Sequence, residues 1–358
     1  MFASGKWKAE FLRRAARIAK LSLLCYTEAG DFMKEYSITA NDAGQRLDRF
    51  VKKVAPSLPA SLLQRYIRIK RIKVNGKRAG NACSLREGDV VTLYINDEFF
   101  PPEQAGEHPF LAAHGDIRIV YEDENLLLAD KDPGLVVHED AGGESDTLIA
   151  RIQKYLYNKG EYDPAQEASF APALCNRIDR NTGGIVIAAK NAASLRILND
   201  LIRERLIKKR YLCIVHGRLS PADGTLRHYL RKDEQNNRVT VYDAPRAGAR
   251  TAITKYRVLR QNNRFSLVEA ELLTGRTHQI RAQMAHIGHP LLGDAKYGLA
   301  KQNAGTGYRF QALWSYQLTF DAGERAGPLA YLNGRTFTVE NVPLVADFDR
   351  LGDGKRGM

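Results

Sequence analysis

The chain has 358 residues, 44% of them hydrophobic and 27% charged, which is the composition of an ordinary globular protein with room for more than one domain. No apolar run reaches the roughly 18 residues needed to cross a bilayer, and Cys25, Cys83, Cys175 and Cys213 are scattered without a Cys-x-x-Cys pair, so neither a zinc site nor a disulfide framework is supported. The formal charge of +13 is uneven, because residues 33–97 hold 13 Lys/Arg against 6 Asp/Glu while the 261 residues after them hold 35 against 32; a basic module ahead of a nearly neutral one suits a polyanion better than a merely solvated surface does.

Residues 1–32 are basic, with Arg13, Arg14, Arg17 and Lys20 among Leu12, Ile18, Leu21 and Leu23. Glu10 and Glu28 and the lack of a cleavage signature argue against a transit peptide. The stretch is expected to be an extension, with Met33 the natural start. Residues 33–97 read as a small α/β module. Glu35–Thr39 is a strand. Gly44 opens a helix with Leu47, Phe50, Val51 and Val54 on one face. Ser61 is placed to cap a second helix, with Leu62, Leu63, Tyr66 and Ile67 inward and Arg65, Arg68, Lys70 and Arg71 outward. Lys73, Lys77 and Arg78 flank Asn75-Gly76, a strong hairpin turn signal, and Val90–Ile95 is another strand. Residues 98–114, with Pro101, Pro102, Gly106 and Pro109, read as a linker.

Residues 115–346 are dominated by strands. Ile117–Tyr121 and Leu126–Ala129 flank a turn, and Leu135–His138 is a third short strand. Thr147–Tyr157 is helical, with Leu148, Ile152 and Leu156 four apart. Gly184–Ala189 is a buried strand, Ser194–Leu206 a helix and Tyr211–Val215 a strand. Val239–Tyr242, Ile253–Leu259 and Phe265–Leu272 continue the strands. Thr277 is placed to cap a helix with the apolar stripe Ile280, Met284, Ile287. Hairpins with a few helices indicate an α+β class with a mostly antiparallel mixed sheet. Residues 347–358 read as a flexible tail.

Three polar stretches carry chemistry. In Asn176-Arg177-Ile178-Asp179-Arg180-Asn181-Thr182-Gly183-Gly184, two arginines flank a carboxylate and would keep it ionised, and the paired glycines allow close approach of a ligand. A structural ion pair in a turn explains Asp179 equally well. Lys208-Lys209-Arg210-Tyr211 joins a basic helix end to a strand; the lysines suit the helix dipole, and the tyrosine suits base stacking. Leu273-Thr274-Gly275-Arg276-Thr277-His278-Gln279-Ile280-Arg281 runs a strand into a helix N-terminus, a setting for an anion. His278, His286 and His289 lack the spacing and companions of a metal site, and no cofactor motif is present. Cys175 reads as a small buried thiol kept reduced.

Together these stretches resemble the RluA family of pseudouridine synthases over about residues 116–342. Gly-His-Pro-Leu-Leu-Gly-Asp-x-Lys-Tyr-Gly, which follows the third stretch, belongs to the same ordered set. The two helices and hairpin of residues 44–95 resemble the S4 RNA-binding module, which fits the larger, RluC- and RluD-like bacterial members. The resemblance implies a cytoplasmic, monomeric, cofactor-free and metal-free isomerase acting on structured RNA, most of all large-subunit ribosomal RNA. It implies that Asp179 is the nucleophile, that Arg281 pairs with it, and that Tyr211 stacks on the uracil and takes part in proton removal. Arg177 would help evict the target nucleotide. Arg180, Thr182, Arg276, His278 and Gln279 would support the site or touch RNA. Arg65, Arg68, Lys70, Arg71, Lys73, Lys77 and Arg78 would meet RNA phosphates. Asn176 departs from a usual histidine, Asn181-Thr182-Gly183-Gly184 from Asp-Thr-Ser-Gly, and Lys131-Asp132-Pro133-Gly134 from Lys-Pro-Ala-Gly. Two other readings compete. A non-catalytic RNA binder would not need Asp179, Tyr211 and Arg281 together. A glycosidase would commonly need a second carboxylate.

Overall fold

The computed structural model describes residues 33–101, 108–139 and 144–352. The proposed extension 1–32, residues 102–107 of the expected linker and the last six residues lie outside the described residues. The chain divides into two compact units: residues up to 107 together with 163–171, and residues 108–162 together with 172 onward.

In the first unit, strands β1 (Met33–Ser37), β2 (Ile72–Val74), β3 (Lys77–Arg78) and β4 (Val90–Tyr94) form an antiparallel sheet in the order β1-β4-β2-β3. Helix α1 (Leu47–Val54) buries Leu47, Phe50, Val51 and Val54, the four residues its spacing marks. Helix α2 spans Ala60–Arg68 with Pro59 at the capping position, so Ser61 lies inside the first turn and does not cap. Asn75 and Gly76 both take positive φ, 52° and 70°, as a two-residue hairpin of matching twist requires. Asp42 is fully buried and accepts from Ser169, while Asn41 donates to Glu167 at 2.7 Å. Residues 163–171, far away in sequence, thus complete this unit's core, with Ala168 packed against it.

The second unit is built on an 11-stranded sheet. Its strands are β5 (Arg118–Glu122), β6 (Leu126–Lys131), β7 (Ala173–Leu174), β8 (Gly183–Ala189), β9 (Ile207–His216), β10 (Asp223–Asp233), β11 (Arg238–Tyr242), β12 (Arg250–Gln261), β13 (Phe265–Leu272), β14 (Leu313–Phe320) and β15 (Thr336–Thr338). The order is β11-β10-β12-β13-β9-β14-β8-β6-β5, with β15 on β14 and β7 on β8. Only the β14–β8 pair is parallel. Helices α3 (Leu148–Lys159), α4 (Ala192–Arg203), α5 (Gln279–His286) and α6 (Pro343–Gly352) cover the sheet. Strand alternation divides the core: Leu127, Ala129, Val186 and Ala188 face α3 and α5, whereas Leu126, Leu128, Ile185 and Ile187 face α4.

Several expectations are corrected. Leu135–His138 forms only an isolated bridge, Val136 to Thr147. Lys208, Lys209 and Arg210 lie within β9 rather than at a helix end, because α4 stops at Arg203. Strands β10 and β14 were not among the expected elements. The expected linker is narrower than 98–114, since Phe100, Phe110 and Ala113 are buried. The tail expected from Asp347 is ordered to Gly352 in α6; Tyr308 donates to Asp347, and Phe348 packs with Trp314, Val342 and Leu344. Phe348→Ala is therefore expected to lower the unfolding free energy by about 3 kcal/mol, read by urea denaturation; an unchanged midpoint would return this segment to a dispensable tail.

Candidate active site

The position of the site follows from β14 lying between β8 and β9. Ser315 of β14 pairs with Gly184 on one side and with Tyr211 on the other. A Cβ on Gly184, whose φ is 109°, would stand 2.2 Å from the Ser315 carbonyl oxygen, and one on Gly183 would stand 2.4 Å from the Trp314 ring. The paired glycines thus admit a neighbouring strand, where the sequence suggested a ligand. The turn holding Asp179 precedes β8. Tyr211 stands on β9, and its other neighbour β13 leads through Thr274 and Arg276 into α5 with Arg281. A cavity of about 610 Å³ collects them, lined among others by Arg177, Asp179, Thr182, Tyr211, Arg276, His278 and Arg281.

Arg281 is buried and engages two carboxylates. Its Nη1 donates to Asp179 Oδ2 at 2.7 Å. Its Nε and Nη2 donate to Asp294 Oδ2 and Oδ1 at 2.7 and 3.0 Å. Asp294, fully buried, also accepts from the backbone N–H groups of Lys296 and Tyr297. Burial alone would raise its carboxyl; the bonds and charge of Arg281 and the two N–H groups outweigh that and hold it below the usual carboxylate range. Arg281 in turn is raised despite its own burial, by Asp294 and Asp179. Asp179 Oδ1 makes no hydrogen bond among the described residues. His278 Nε2 is 3.8 Å from Asp179 Oδ2, and its Nδ1 lies 2.8 Å from the Tyr297 hydroxyl. Burial lowers the His278 pKa, partly countered by Asp179.

The loop into α5 is tied from within. His278 takes a left-handed conformation, φ 52°, ahead of α5, so it and not Thr277 occupies the capping position, and no side chain caps the helix. The Gln279 amide accepts from Thr274 and the Arg276 N–H and donates to Thr254 and the Ile253 carbonyl. Its polar atoms are therefore committed to the loop, which makes it a supporting residue, one of the two roles expected of it. Arg180 turns to Glu144 and the Gly134 carbonyl and does not line the cavity. Arg177 lines it, is exposed and has no carboxylate partner among the described residues. Thr182 accepts from Gln311 at 3.1 Å. Asn176, at the position of a usual family histidine, accepts the Ile187 N–H of β8.

Tyr211 is buried at the cavity floor, and burial, with the Asp179 charge adding to it, pushes its phenol up to about 12. The side chains of Ile207, Lys209 and Tyr211, every second residue of β9, line the cavity. Lys208 pairs with Asp321 and Arg210 with Gln317. Lys131, noted above only as part of a family motif, is bound into the turn that carries Asp179. Lys131 is 1% exposed, and its ammonium donates to the carbonyls of Asp132, Leu135 and Arg180 at 2.7–2.8 Å. It thereby fastens the loop after β6 to the residue following Asp179.

Burial pushes the Cys175 and Cys213 thiols up to about 12, which leaves them unreactive. One metal-like cluster exists among the described residues, His228, Asp243 and His286. Gln283 Nε2, oriented by the Leu226 and Ala252 carbonyls, donates to His228 Nδ1 at 3.1 Å. The ring lone pair thus faces Gln283, and the Nε2 proton faces Asp243; a metal at Nε2 would need the opposite tautomer. Among the described residues no helix is long and apolar enough to cross a membrane.

In the first unit, Arg65, Arg68, Lys70, Lys77 and Arg78 are exposed and form no ion pair among the described residues. Arg71 lies over Tyr66 and Lys73 over Tyr94.

Residues 125–286 match the family model described as RNA pseudouridylate synthase. The chain is 32% identical over 294 residues to "Uncharacterized RNA pseudouridine synthase YlyB" of Bacillus subtilis, covering 81% of this chain and 90% of the relative. It is 31% identical over 273 residues to "Ribosomal large subunit pseudouridine synthase C" of Vibrio parahaemolyticus, covering 74% and 80%. Among solved structures, "Human RNA Pseudouridylate Synthase Domain Containing 4" aligns with a TM-score of 0.51 at 21% identity, covering 65% of this chain and 92% of that one; this likeness speaks to the fold.

The geometry predicts a stability role for Asp294. Its carboxyl is held low in the folded state, so its contribution is complete above the unfolded carboxyl value of about 4 and is lost as pH falls through the lower folded value. Asp294→Asn is expected to cost about 3 kcal/mol at neutral pH by leaving Arg281 under-paired. It should also flatten the loss of stability below about pH 4. Urea unfolding across pH measures both, and a parental acid limb in the variant would contradict the assignment.

Proposed function

Because the chain belongs to the RNA pseudouridine synthases, enzymes that isomerise uridine in RNA to pseudouridine, we propose that Asp179 is its nucleophile and that its substrate is large-subunit ribosomal RNA. The observation that carries the reading is the Asp179 carboxylate held by Arg281 at 2.7 Å with one oxygen unengaged, at the edge of a cavity floored by Tyr211.

The reaction breaks the N1–C1′ bond of uridine, turns the base and joins C5 to C1′, with a proton lost from C5 and one gained at N1. It needs neither a redox change nor energy input. Arg281 aims Asp179, and Asp179 Oδ1 is free to attack C1′, add to C6 or assist removal of the 2′ proton. Tyr211 supplies a flat surface for the uracil. With its phenol pushed up to about 12, Tyr211 meets the base as a neutral hydroxyl at physiological pH. The target nucleotide must leave its stack, at a cost of a few kcal/mol. Arg177, exposed and without a carboxylate partner, is suited to fill the gap. Thr182, Arg276 and His278 frame the cavity; Arg276 donates to the Thr251 carbonyl through Nε alone, which leaves the rest of its guanidinium for RNA. Arg180 acts by holding its loop.

The first unit serves as an S4-like RNA anchor in this reading. Its support is the excess of 13 basic over 6 acidic residues in 33–97 and the exposed, carboxylate-free cations on α2 and the hairpin. The name of the Vibrio relative favours ribosomal RNA as the target.

Asp179→Asn should reduce tritium release from C5-tritiated 23S ribosomal transcript to background. RNA affinity should stay within about threefold, because phosphate contacts carry most of it. Retained isomerisation would refute the assignment of the nucleophile. Replacing Arg65, Arg68 and Arg78 together by Ala should lower the slope of log affinity against log salt by about two to three, measured by filter binding. An unchanged slope would remove the first unit as an anchor.

A further inference from the structure

The cavity rim carries more positive charge than the reaction centre uses. Of the carboxylates near it, Asp179 and Asp294 are held by Arg281. Asp200 pairs with Arg203, and Glu204 pairs with Arg325. Arg205, Arg250 and Arg276 have no carboxylate partner among the described residues. Arg205 and Arg276 both line the cavity. Arg250 opens β12, and the next residue, Thr251, accepts Arg276 Nε through its carbonyl at 3.0 Å. The three come from separate elements, namely the turn after α4, the start of β12 and the loop before α5. Burial, and after it the like charges of Arg250 and Arg205, make Arg276 hold its proton less tightly than a free arginine. Three guanidinium groups brought together without a counter-ion repel one another, and the arrangement is relieved by an anion. Arg205 also takes φ 64°, a left-handed position where glycine or asparagine would sit with less strain.

We propose that Arg205 and Arg250, together with Arg276, form a seat for an RNA phosphodiester beside the nucleotide that enters the cavity. The inference rests on the reading of Asp179 as the reactive group, and it assigns the next contact outward. Guanidinium forks match phosphate oxygens in pairs. A diester anchored at this rim would hold the strand while its base is turned toward Tyr211, and so act on binding rather than on the bond changes. Lys209, which shares the cavity and has no ion pair among the described residues, adds to the same field.

The test uses the full chain and C5-tritiated 23S ribosomal transcript. Arg205→Ala and Arg250→Ala should each raise KM about tenfold, as loss of a charged hydrogen bond does, with kcat within about twofold of the parent. Each should lower the salt slope of RNA binding by about one. Arg205→Lys should recover part of the slope and less of the KM, since an ammonium keeps the charge but not the fork. Arg257→Ala, an exposed arginine paired with Glu269, serves as the control for loss of one charge. Parental KM and salt slope in both alanine variants would overturn the seat while leaving the role of Asp179 standing. A fall in kcat alone would likewise overturn it, because that marks a part in chemistry or folding. Calorimetric binding of inorganic phosphate to the parent, abolished in the Arg205→Ala variant, would show a seat for free anions and overturn the assignment to RNA. A parent that releases no tritium would instead defeat the underlying functional reading.

Discussion

Arg281 has five N–H donors in one plane, and the protein divides them between two acids. Asp294 takes the Nε and Nη2 edge as a bidentate pair, and Asp179 takes only Nη1. The division matters for chemistry. A guanidinium that turned its full fork on Asp179 would engage both carboxylate oxygens and leave neither free for the proposed nucleophilic role. With Asp294 occupying that fork, Asp179 is held through one oxygen, and Oδ1 stays open. The helix entry depends on the same array. α5 begins from a left-handed His278 with no side-chain cap. What fixes the first turn is Gln279 gripping β12 and the Arg276 N–H, together with Arg281 locked onto Asp294 one turn beyond the next loop.

The sheet delivers Asp179 and Tyr211 to this array through an unusual insertion. β14 arrives late in the chain and slots between β8 and β9, pairing parallel to one and antiparallel to the other. Ser315 therefore touches the strand that follows Asp179 and the strand that carries Tyr211. The approach is so close at Gly183 and Gly184 that no side chain fits. Lys131 performs a comparable task under the turn, replacing absent backbone partners with one buried ammonium. Both devices are rigid, and together they restrict where the Asp179 carboxylate can point.

Local patterns were legible where one face of an element is buried. Leu47, Phe50, Val51 and Val54 announce α1, Leu148, Ile152 and Leu156 announce α3, and Asn75-Gly76 announces its hairpin. Legibility failed where both faces are covered or where charge disguises a strand. β14 opens with Leu313, Trp314 and Ser315, all buried, and shows no alternation. β10 alternates exposed polar residues with Leu226, His228 and Leu230, a weak apolar signal. Lys208-Lys209-Arg210 looks like a helix end, yet alternate members face opposite sides of β9. Of the site, Asp179, Tyr211, Arg281 and Arg276 could be named from motifs. Their convergence could not be derived from spacing, since Asp179 and Arg281 are 102 residues apart. Asp294 stood in a recognised motif without a role, because a buried carboxylate acquires meaning only when its partner's free N–H edge is known. Between supporting the site and touching RNA, the motif alone could not choose for Arg180 and Gln279: it shows which residues are present, not which atoms the fold has already engaged.

The distribution of unpaired charge also explains how a small pocket can act on a large polymer. Uracil offers little surface, and a base pulled from its stack forfeits a few kcal/mol before any chemistry begins. Contacts to the base alone would bind a free nucleoside about as well as RNA. In the proposed function, arginines around the cavity and on α2 that have no carboxylate partner among the described residues would draw on phosphates, which a nucleoside lacks. Binding energy from these remote groups would offset eviction of the base, as catalysis by distant contacts requires. The carboxylates near the cavity are arranged consistently with this. Asp200, Glu204 and Asp294 are each paired with an arginine, and Asp179 is held by one that leaves it an oxygen. In the proposed function, a polyanion would meet this cationic rim around the single carboxylate of Asp179, whose charge is balanced by Arg281.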